Sequence, residues 1–126
     1  LLVTSIDREG TGRGFDEDIT RRIADAVSIP VIACGGAGRA ADVVNVVRRA
    51  RPQAVCVASL LHYNVVRRGW VEQDFAEEIN VAHLRGATGR ATLDDCSLVE
   101  LKAALRAAGI DCRAGQSPAH RAEDGQ

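Results

Sequence analysis

The sequence contains no methionine and very few aromatic residues. Its 126 residues include one Trp, one Tyr and two Phe, so Val, Ile, Leu and Ala must supply most of any core. A chain of this length builds one domain of ordinary size, which excludes a second full-sized catalytic domain. Because an apolar segment begins directly at Leu1, we expect the chain to start inside a fold.

Excess charge, long apolar runs and targeting patterns are also missing. The 16 basic and 17 acidic residues leave a formal net charge of -1, which gives no long-range attraction to nucleic acid or to an anionic membrane. No run of about 18 apolar residues exists, and the amino-terminal residues lack the order of a signal peptide. We therefore expect a cytoplasmic protein whose partners include neither nucleic acid nor a membrane.

The cysteines and histidines lack the spacing of metal sites. No two of the four cysteines form a C-x-x-C pair, and the three histidines do not combine with them into a ligand pattern. Free thiols in a reducing compartment are the simplest interpretation. The sequence thus predicts no metal and no cofactor; the residues concerned are Cys34, Cys56, Cys96, Cys112, His62, His83 and His120.

Three short apolar runs alternate with amphipathic segments. Leu1–Ser5, Val31–Cys34 and Ala54–Ser59 show no apolar and polar alternation, which is typical of parallel strands covered on both faces. A helix capped by Asp16 and a second helix from about 40 to 50 separate them. This order predicts an α/β fold in which parallel strands are joined by right-handed helical connections.

The remaining segments carry weaker patterns. The apolar positions Ile19, Ile23, Ala26 and Val27 give the first helix one apolar stripe. A capping box at 97–100, followed by Gly109, predicts another packing helix near the carboxyl end. Residues 70–84 are a weaker helix candidate and 85–95 a loop, and the polar residues from 114 onward predict a disordered tail.

Glycine and small polar residues follow each predicted strand, where ligands bind in parallel α/β folds. Gly35 and Gly36 follow the second strand and Ser59 ends the third. A turn without side chains lets a phosphate reach backbone N–H groups, and a following helix adds partial positive charge. Tight turns also need glycine for steric reasons alone. The glycines by themselves therefore leave open the alternative that they serve the turn and not a ligand.

Two carboxylates follow the first predicted strand. Asp7 and Glu9 are two residues apart, so they face the same side if the extended geometry persists beyond the strand. Such a pair is suited to general acid and base chemistry or to binding substrate hydroxyls. The alternative is that Asp7 pairs with Arg8 and that Glu9 is solvated.

Three segments together resemble the cyclase subunit of imidazole glycerol phosphate synthase. The similar segments are Leu2–Asp16, with Ser-Ile-Asp-Arg-Glu-Gly-Thr-Gly; Ile29–Gly38, with Cys-Gly-Gly-Ala-Gly; and Ala54–Tyr63. The resemblance covers 1–63, resumes over 97–113, and corresponds to the last three of eight βα units. It implies a partial TIM barrel of three parallel strands with covering helices.

The same resemblance implies an enzyme of histidine biosynthesis. Members of this lyase family take ammonia from a glutaminase subunit and use it to cleave and cyclise a phosphorylated ribonucleotide. The products are imidazole glycerol phosphate and an aminoimidazole carboxamide ribotide. The family's two principal catalytic aspartates lie on the first and fifth strands, upstream of Leu1, so we expect this chain to be inactive alone.

Site residues are carried over from the family only where the motifs match. Asp7 is the catalytic candidate, and no residue is expected to bind a metal. Thr4, Thr11 and Cys34 are expected to line the substrate site. The positions expected to bind a substrate phosphate are Glu9, Gly10, Gly35, Gly36, Ala58 and Ser59.

The sequence departs from the family at two of these positions. Glu9 replaces the usual Asp and Cys34 the usual Ser.

We expect residues 1–113 to form the carboxy-terminal part of a barrel domain, with 64–96 an insert relative to compact relatives and 114–126 a disordered tail. Two alternatives remain: a half-barrel phosphate-binding or scaffold module that forms homo-oligomers through its open sheet, and a relative that amidinates a nucleotide sugar.

Overall fold

The computed structural model describes residues 1–69 and 93–113, and it confirms the predicted α/β order. The helix predicted over 70–84, most of the loop predicted over 85–95 and the tail from 114 lie outside the described residues. The elements are β1 (Leu2–Thr4), α1 (Glu17–Ala26), β2 (Ile32–Cys34), α2 (Ala40–Ala50), β3 (Ala54–Cys56), α3 (Ser59–Gly69) and α4 (Leu98–Ala107).

The three strands form one parallel sheet in the order β1-β2-β3. Alternate residues of a strand face opposite sides, so each row across the sheet belongs to one face. The row Val3, Ala33 and Val55 lies on the side covered by helices, and Ala33 is fully buried there. On the other face, Leu2 is exposed to solvent. An open parallel sheet with helices on one side is the architecture of part of a TIM barrel.

The core lies between the covered face of the sheet and the helices. Helix α2 occupies its centre, packing against α1 on one side and α4 on the other. Aliphatic side chains supply most of this core, as the shortage of aromatic residues predicts, and burying a Val or Leu fully contributes about 1.5–3 kcal/mol. The buried cluster consists of Phe15, Ala33, Val43, Val46, Ala50, Leu60 and Leu101.

The third strand is shorter than predicted, and the sequence analysis missed the helix that follows it. Strand β3 ends at Cys56, so the prediction that it continues to Ser59 is wrong. The Ala58 carbonyl accepts hydrogen bonds from the backbone N–H groups of Leu61 and His62, at 3.1 and 2.9 Å, which starts α3. Ser59 is therefore the first residue of a helix.

Side-chain caps fix where the other helices begin. Asp16 caps α1 as predicted, accepting from the Ile19 N–H at 3.1 Å and from the Ser5 hydroxyl at 3.2 Å. The predicted capping box of Ser97 and Glu100 begins α4. The apolar stripe of α1 is only partly buried: Ile19 retains 40% of its accessible surface. Of the helices in residues 1–69 and 93–113, none has the length and apolar character to cross a membrane.

A buried carboxylate holds the start of α2. Oδ2 of Asp42 accepts from the backbone N–H groups of Gly38 and Arg39 at 2.9 and 3.1 Å. Oδ1 accepts from the Arg39 side chain at 3.2 Å. The side chain of Asp42, the third residue of α2, thus satisfies the N–H groups of the two residues that precede the helix.

Replacing Asp42 by Ala should lower the free energy of unfolding by about 1–3 kcal/mol, because buried N–H donors lose their acceptor. Urea unfolding followed by circular dichroism measures the change. Asp111→Ala, which removes an exposed carboxylate, is the matched control and should change the value by less than about 0.5 kcal/mol. Equal stability of the two variants would contradict the capping role of Asp42.

Candidate functional site

A cleft lies at the carboxyl ends of the three strands, where the sequence analysis places a ligand. It is open to solvent, and the space between its walls, open solvent included, amounts to about 420 Å³. Loops that follow β1, β2 and β3 each contribute to its wall. The lining residues are Glu9, Gly10, Gly12, Cys34, Gly35, Gly36, Ala37, Cys56, Val57, Ala58, Ser59 and Leu93.

The loop after β1 turns back instead of continuing as a strand. The Ser5 carbonyl accepts from the backbone N–H groups of Arg8 and Glu9, at 3.2 and 2.9 Å, which bends the chain immediately after β1. Glu9 lines the cleft, whereas Asp7 is exposed and does not. The extended geometry needed for Asp7 and Glu9 to face one side is therefore absent, and the interpretation of the two as a facing pair is wrong.

The loop after β2 requires glycine at consecutive positions. Gly35 and Gly36 have φ angles of +90° and +98°, which side chains rarely adopt. A Cβ at Gly35 would lie 2.6 Å from Oε2 of Glu9, and one at Gly36 would collide with the Gly14 carbonyl. The Gly14 N–H donates to the Gly36 carbonyl at 2.8 Å, which ties this loop to the one after β1.

The segment that precedes α4 also reaches the cleft. The Asp94 N–H donates to the Gly38 carbonyl at 3.0 Å, and Leu93 lies beside Gly12. A Cβ at Gly12 would be only 2.7 Å from Leu93 Cδ2, so the two surfaces are in close contact. One wall of the cleft is thus apolar and comes from a part of the chain remote from the strands.

The loop after β3 presents the amino-terminal end of α3 to the cleft. Ser59 begins this helix, and the first N–H groups of an α-helix have no intrahelical acceptor. The helix dipole adds partial positive charge at the same place. By contrast, Asp42 already occupies the Gly38 and Arg39 N–H groups at the start of α2. Because Ala58 and Ser59 line the cleft, the amino-terminal end of α3 faces it.

Charged groups are scarce in this cleft. Among the described residues that line it, Glu9 alone carries a charged side chain. The pKa of the Cys56 thiol is raised, chiefly by its electrostatic interaction with the neighbouring Cys34, with smaller contributions from burial, from a hydrogen bond to Cys34 and from Glu9. Within residues 1–69 and 93–113, no group of three or more His, Cys, Asp and Glu side chains is placed to hold a metal ion.

The structure brings most of the expected site residues together. Glu9, Gly10, Cys34, Gly35, Gly36, Ala58 and Ser59 all line the cleft. Of the other expected residues, Thr11 donates its hydroxyl to the Arg8 carbonyl at 2.7 Å and stabilises the first loop. Thr4 ends β1, and its methyl group lies near Gly35, outside the lining set.

Sequence reasoning missed several lining residues for different reasons. Cys56 could have been predicted as a lining residue, because it ends the strand next to β2 and pairs with Cys34, which was predicted. Gly12 belongs to the same glycine-rich run as Gly10. Leu93 carries no local pattern that indicates a site, since its position depends on a contact with a distant loop.

Comparison with known proteins identifies the family. The profile of a family described as "Histidine biosynthesis protein" matches residues 1–67, more than half of the chain. The chain belongs to this family. The resemblance to the cyclase subunit is confirmed by curated relatives, each named "Imidazole glycerol phosphate synthase subunit HisF".

These relatives match only part of the chain. The protein from Synechococcus sp. is 54% identical over 63 residues, covering 50% of this chain and 25% of the relative. That from Geobacillus thermodenitrificans is 43% identical over 82 residues, covering 64% and 32%. That from Alkaliphilus metalliredigens is 46% identical over 77 residues, covering 61% and 31%. The chain thus spans about a quarter to a third of the length of these relatives.

Gly36→Ala should destabilise the protein by about 2–5 kcal/mol, because the new Cβ meets the Gly14 carbonyl in an unfavourable backbone conformation. Gly10→Ala is the matched control: Gly10 also has a positive φ, of +70°, but a Cβ there meets nothing within 4 Å. It should cost only about 1 kcal/mol. Urea unfolding compares the two, and equal losses would contradict the close approach of the loops.

Proposed function

We propose that the cleft binds a phosphate group of the substrate in the cyclase part of an imidazole glycerol phosphate synthase. The observation that carries the proposal is the convergence of the Gly35–Gly36 turn and the start of α3 at one end of the sheet. Backbone N–H groups at such positions bind anions without a basic side chain. Family membership and the names of the relatives support the same function.

The phosphate would act as an anchor remote from the reacting atoms. Binding energy from a part of the substrate that does not react positions the rest of the molecule. In the proposed parent enzyme, ammonia delivered by a glutaminase subunit is used to cleave and cyclise a phosphorylated ribonucleotide. The residues of this chain hold one end of that substrate. The face of the sheet that the helices leave uncovered borders the space for the rest of the substrate.

The carboxylate of Glu9 limits the affinity of the cleft for phosphate. Its carboxylate is close to Gly35, so a bound phosphate would share the cleft with a like charge. With no basic side chain lining the described cleft, we expect inorganic phosphate to bind with a dissociation constant in the millimolar range, which corresponds to about -4 kcal/mol. The specificity of the site would come from geometry and not from net charge.

A titration of the chain with inorganic phosphate tests the site. In a two-dimensional amide NMR spectrum, the peaks of Gly35, Gly36 and Ser59 should shift together and saturate at millimolar concentration, because their N–H groups contact the anion. Sulfate, which has a similar shape, serves as the comparison, and sodium chloride at equal ionic strength is the control. Shifts confined to surface arginines would contradict the proposal.

Glu9→Gln should strengthen phosphate binding about twofold to fivefold, since it removes a like charge near the anion and keeps the shape of the side chain. The same titration measures the change. Glu17→Gln is the matched control and should leave the affinity unchanged, because the half-buried Glu17 carboxylate pairs with Arg49 at 3.3 Å and does not line the cleft. Weaker binding by Glu9→Gln would show instead that the carboxylate helps to hold the ligand.

The isolated chain should not catalyse the cyclase reaction. The resemblance places the principal catalytic aspartates of the family on strands other than these three, so the chain would supply a binding site without the main acid and base groups. An assay with ammonium salt and the phosphorylated ribonucleotide checks this, with an intact cyclase subunit as the positive control. Turnover by the chain alone, above that of heat-denatured protein, would contradict the proposal.

Self-association is a second candidate, favoured by the uncovered face of the sheet. Leu1 and Leu2 retain 52% and 58% of their accessible surface, and β1 and β3 are both edges of the described sheet. Exposed apolar strands with open edges favour pairing with another chain. A second copy of the half-barrel would cover this face. Light scattering over a range of concentrations should detect a dimer, and a monomer at high concentration would exclude it.

A further inference from the structure

Two thiols meet at the floor of the cleft. Cys34 ends β2 and Cys56 ends β3, and the strand register places them directly opposite each other. Neighbouring strands lie about 4.8 Å apart, within the range of Cα separations found in disulfides. The two side chains are close enough for a hydrogen bond between Cys34 and the Cys56 thiol. Their contact is therefore a consequence of strand pairing.

Both thiols are accessible from the cleft. Cys56 is exposed, Cys34 is half-buried, and both line the cleft wall. The other two cysteines lie elsewhere: Cys96 packs against the core, and Cys112 donates to the Lys102 carbonyl at 3.6 Å. A small oxidant that enters the cleft thus meets two adjacent thiols.

We propose that Cys34 and Cys56 are a redox-active pair that hydrogen peroxide converts into a reversible disulfide within the cleft. The Cys34 thiolate attacks one peroxide oxygen, the O–O bond breaks, and the departing hydroxide takes a proton to become water. The product is a sulfenic acid on Cys34. The sulfur of Cys56 then attacks the Cys34 sulfur, the S–O bond breaks, and the hydroxyl leaves with the Cys56 proton as a second water.

The electrostatics of the pair fit this order of events. The two sulfurs lie side by side in the strand register, and the interaction with Cys34 raises the pKa of Cys56, so the Cys56 thiol ionises less readily than an ordinary cysteine. The thiolate is the nucleophilic form of cysteine. Cys34 is therefore the attacking thiol and Cys56 the resolving one. Overall, the two sulfurs lose two electrons, and one peroxide yields two waters.

The bond would also alter the cleft. Cys34 immediately precedes Gly35, so joining its sulfur to Cys56 constrains the turn whose N–H groups we assign to phosphate binding. Formation of the disulfide follows from the position of the thiols alone. Its effect on phosphate rests on the proposed function.

Peptide mapping of the full chain tests the bond. The protein is treated with hydrogen peroxide, remaining thiols are alkylated, and trypsin cuts after the arginines to give the fragments 23–39 and 50–67, which carry Cys34 and Cys56. We expect these fragments joined, lighter by two hydrogens than their sum, and separated again by dithiothreitol. Recovery of both fragments alkylated or singly oxidised, with none joined, would overturn the proposal.

Two variants and one binding measurement complete the test. Cys112→Ser should keep the joined fragments, whereas Cys56→Ser should lose them and accumulate a single oxidised thiol at Cys34.

The oxidised wild type should bind inorganic phosphate about threefold to tenfold more weakly, as expected for loss of one hydrogen bond. Unchanged affinity with the bond formed would overturn the coupling. Absence of phosphate binding by the reduced protein would overturn the proposed function and leave the disulfide standing.

Discussion

The candidate site depends on the close approach of two stretches of backbone without side chains. Gly14 and Gly36 lie so close together that a Cβ on Gly36 would collide with the Gly14 carbonyl, and the Gly14 N–H donates to the Gly36 carbonyl at 2.8 Å. Gly12 and Gly38 repeat the same close contact. Because these contacts hold the loop after β1 against the loop after β2, they bring Glu9 to the wall of the cleft. A side chain at Gly36 or Gly38 would collide with the backbone of the loop after β1 and force the two loops apart.

The start of α3 supplies the helix end that lines the cleft. The carboxylate of Asp42 accepts from the Gly38 and Arg39 N–H groups just before α2, and neither of these two residues lines the cleft. Helix α3 begins at Ser59 without an acidic residue in its first turn, and its amino-terminal end lies at the cleft. The start of α3 is therefore suited to an anionic ligand.

Much of the architecture could be predicted from the sequence, because strong local patterns encode it. The uninterrupted apolar runs give all three strands, and the caps at Asp16 and Ser97 give the starts of α1 and α4. The start of α3 could not be predicted, since apolar residues continue across the boundary between β3 and the helix. The position of Asp7, exposed and away from the cleft lining, also escaped prediction, because it depends on the turn closed by the Ser5 carbonyl. Contacts between distant segments, such as that of Leu93 with Gly12, leave no local pattern.

The central claim is that backbone groups of two adjacent βα loops hold a phosphate at the end of the sheet. A crystal structure of the chain grown with inorganic phosphate tests it most directly. We predict an anion between the Gly35–Gly36 turn and the start of α3, with backbone N–H groups about 2.9 Å from its oxygens. An empty cleft, with phosphate bound only to exposed arginine side chains such as Arg13 or Arg51, would contradict the account.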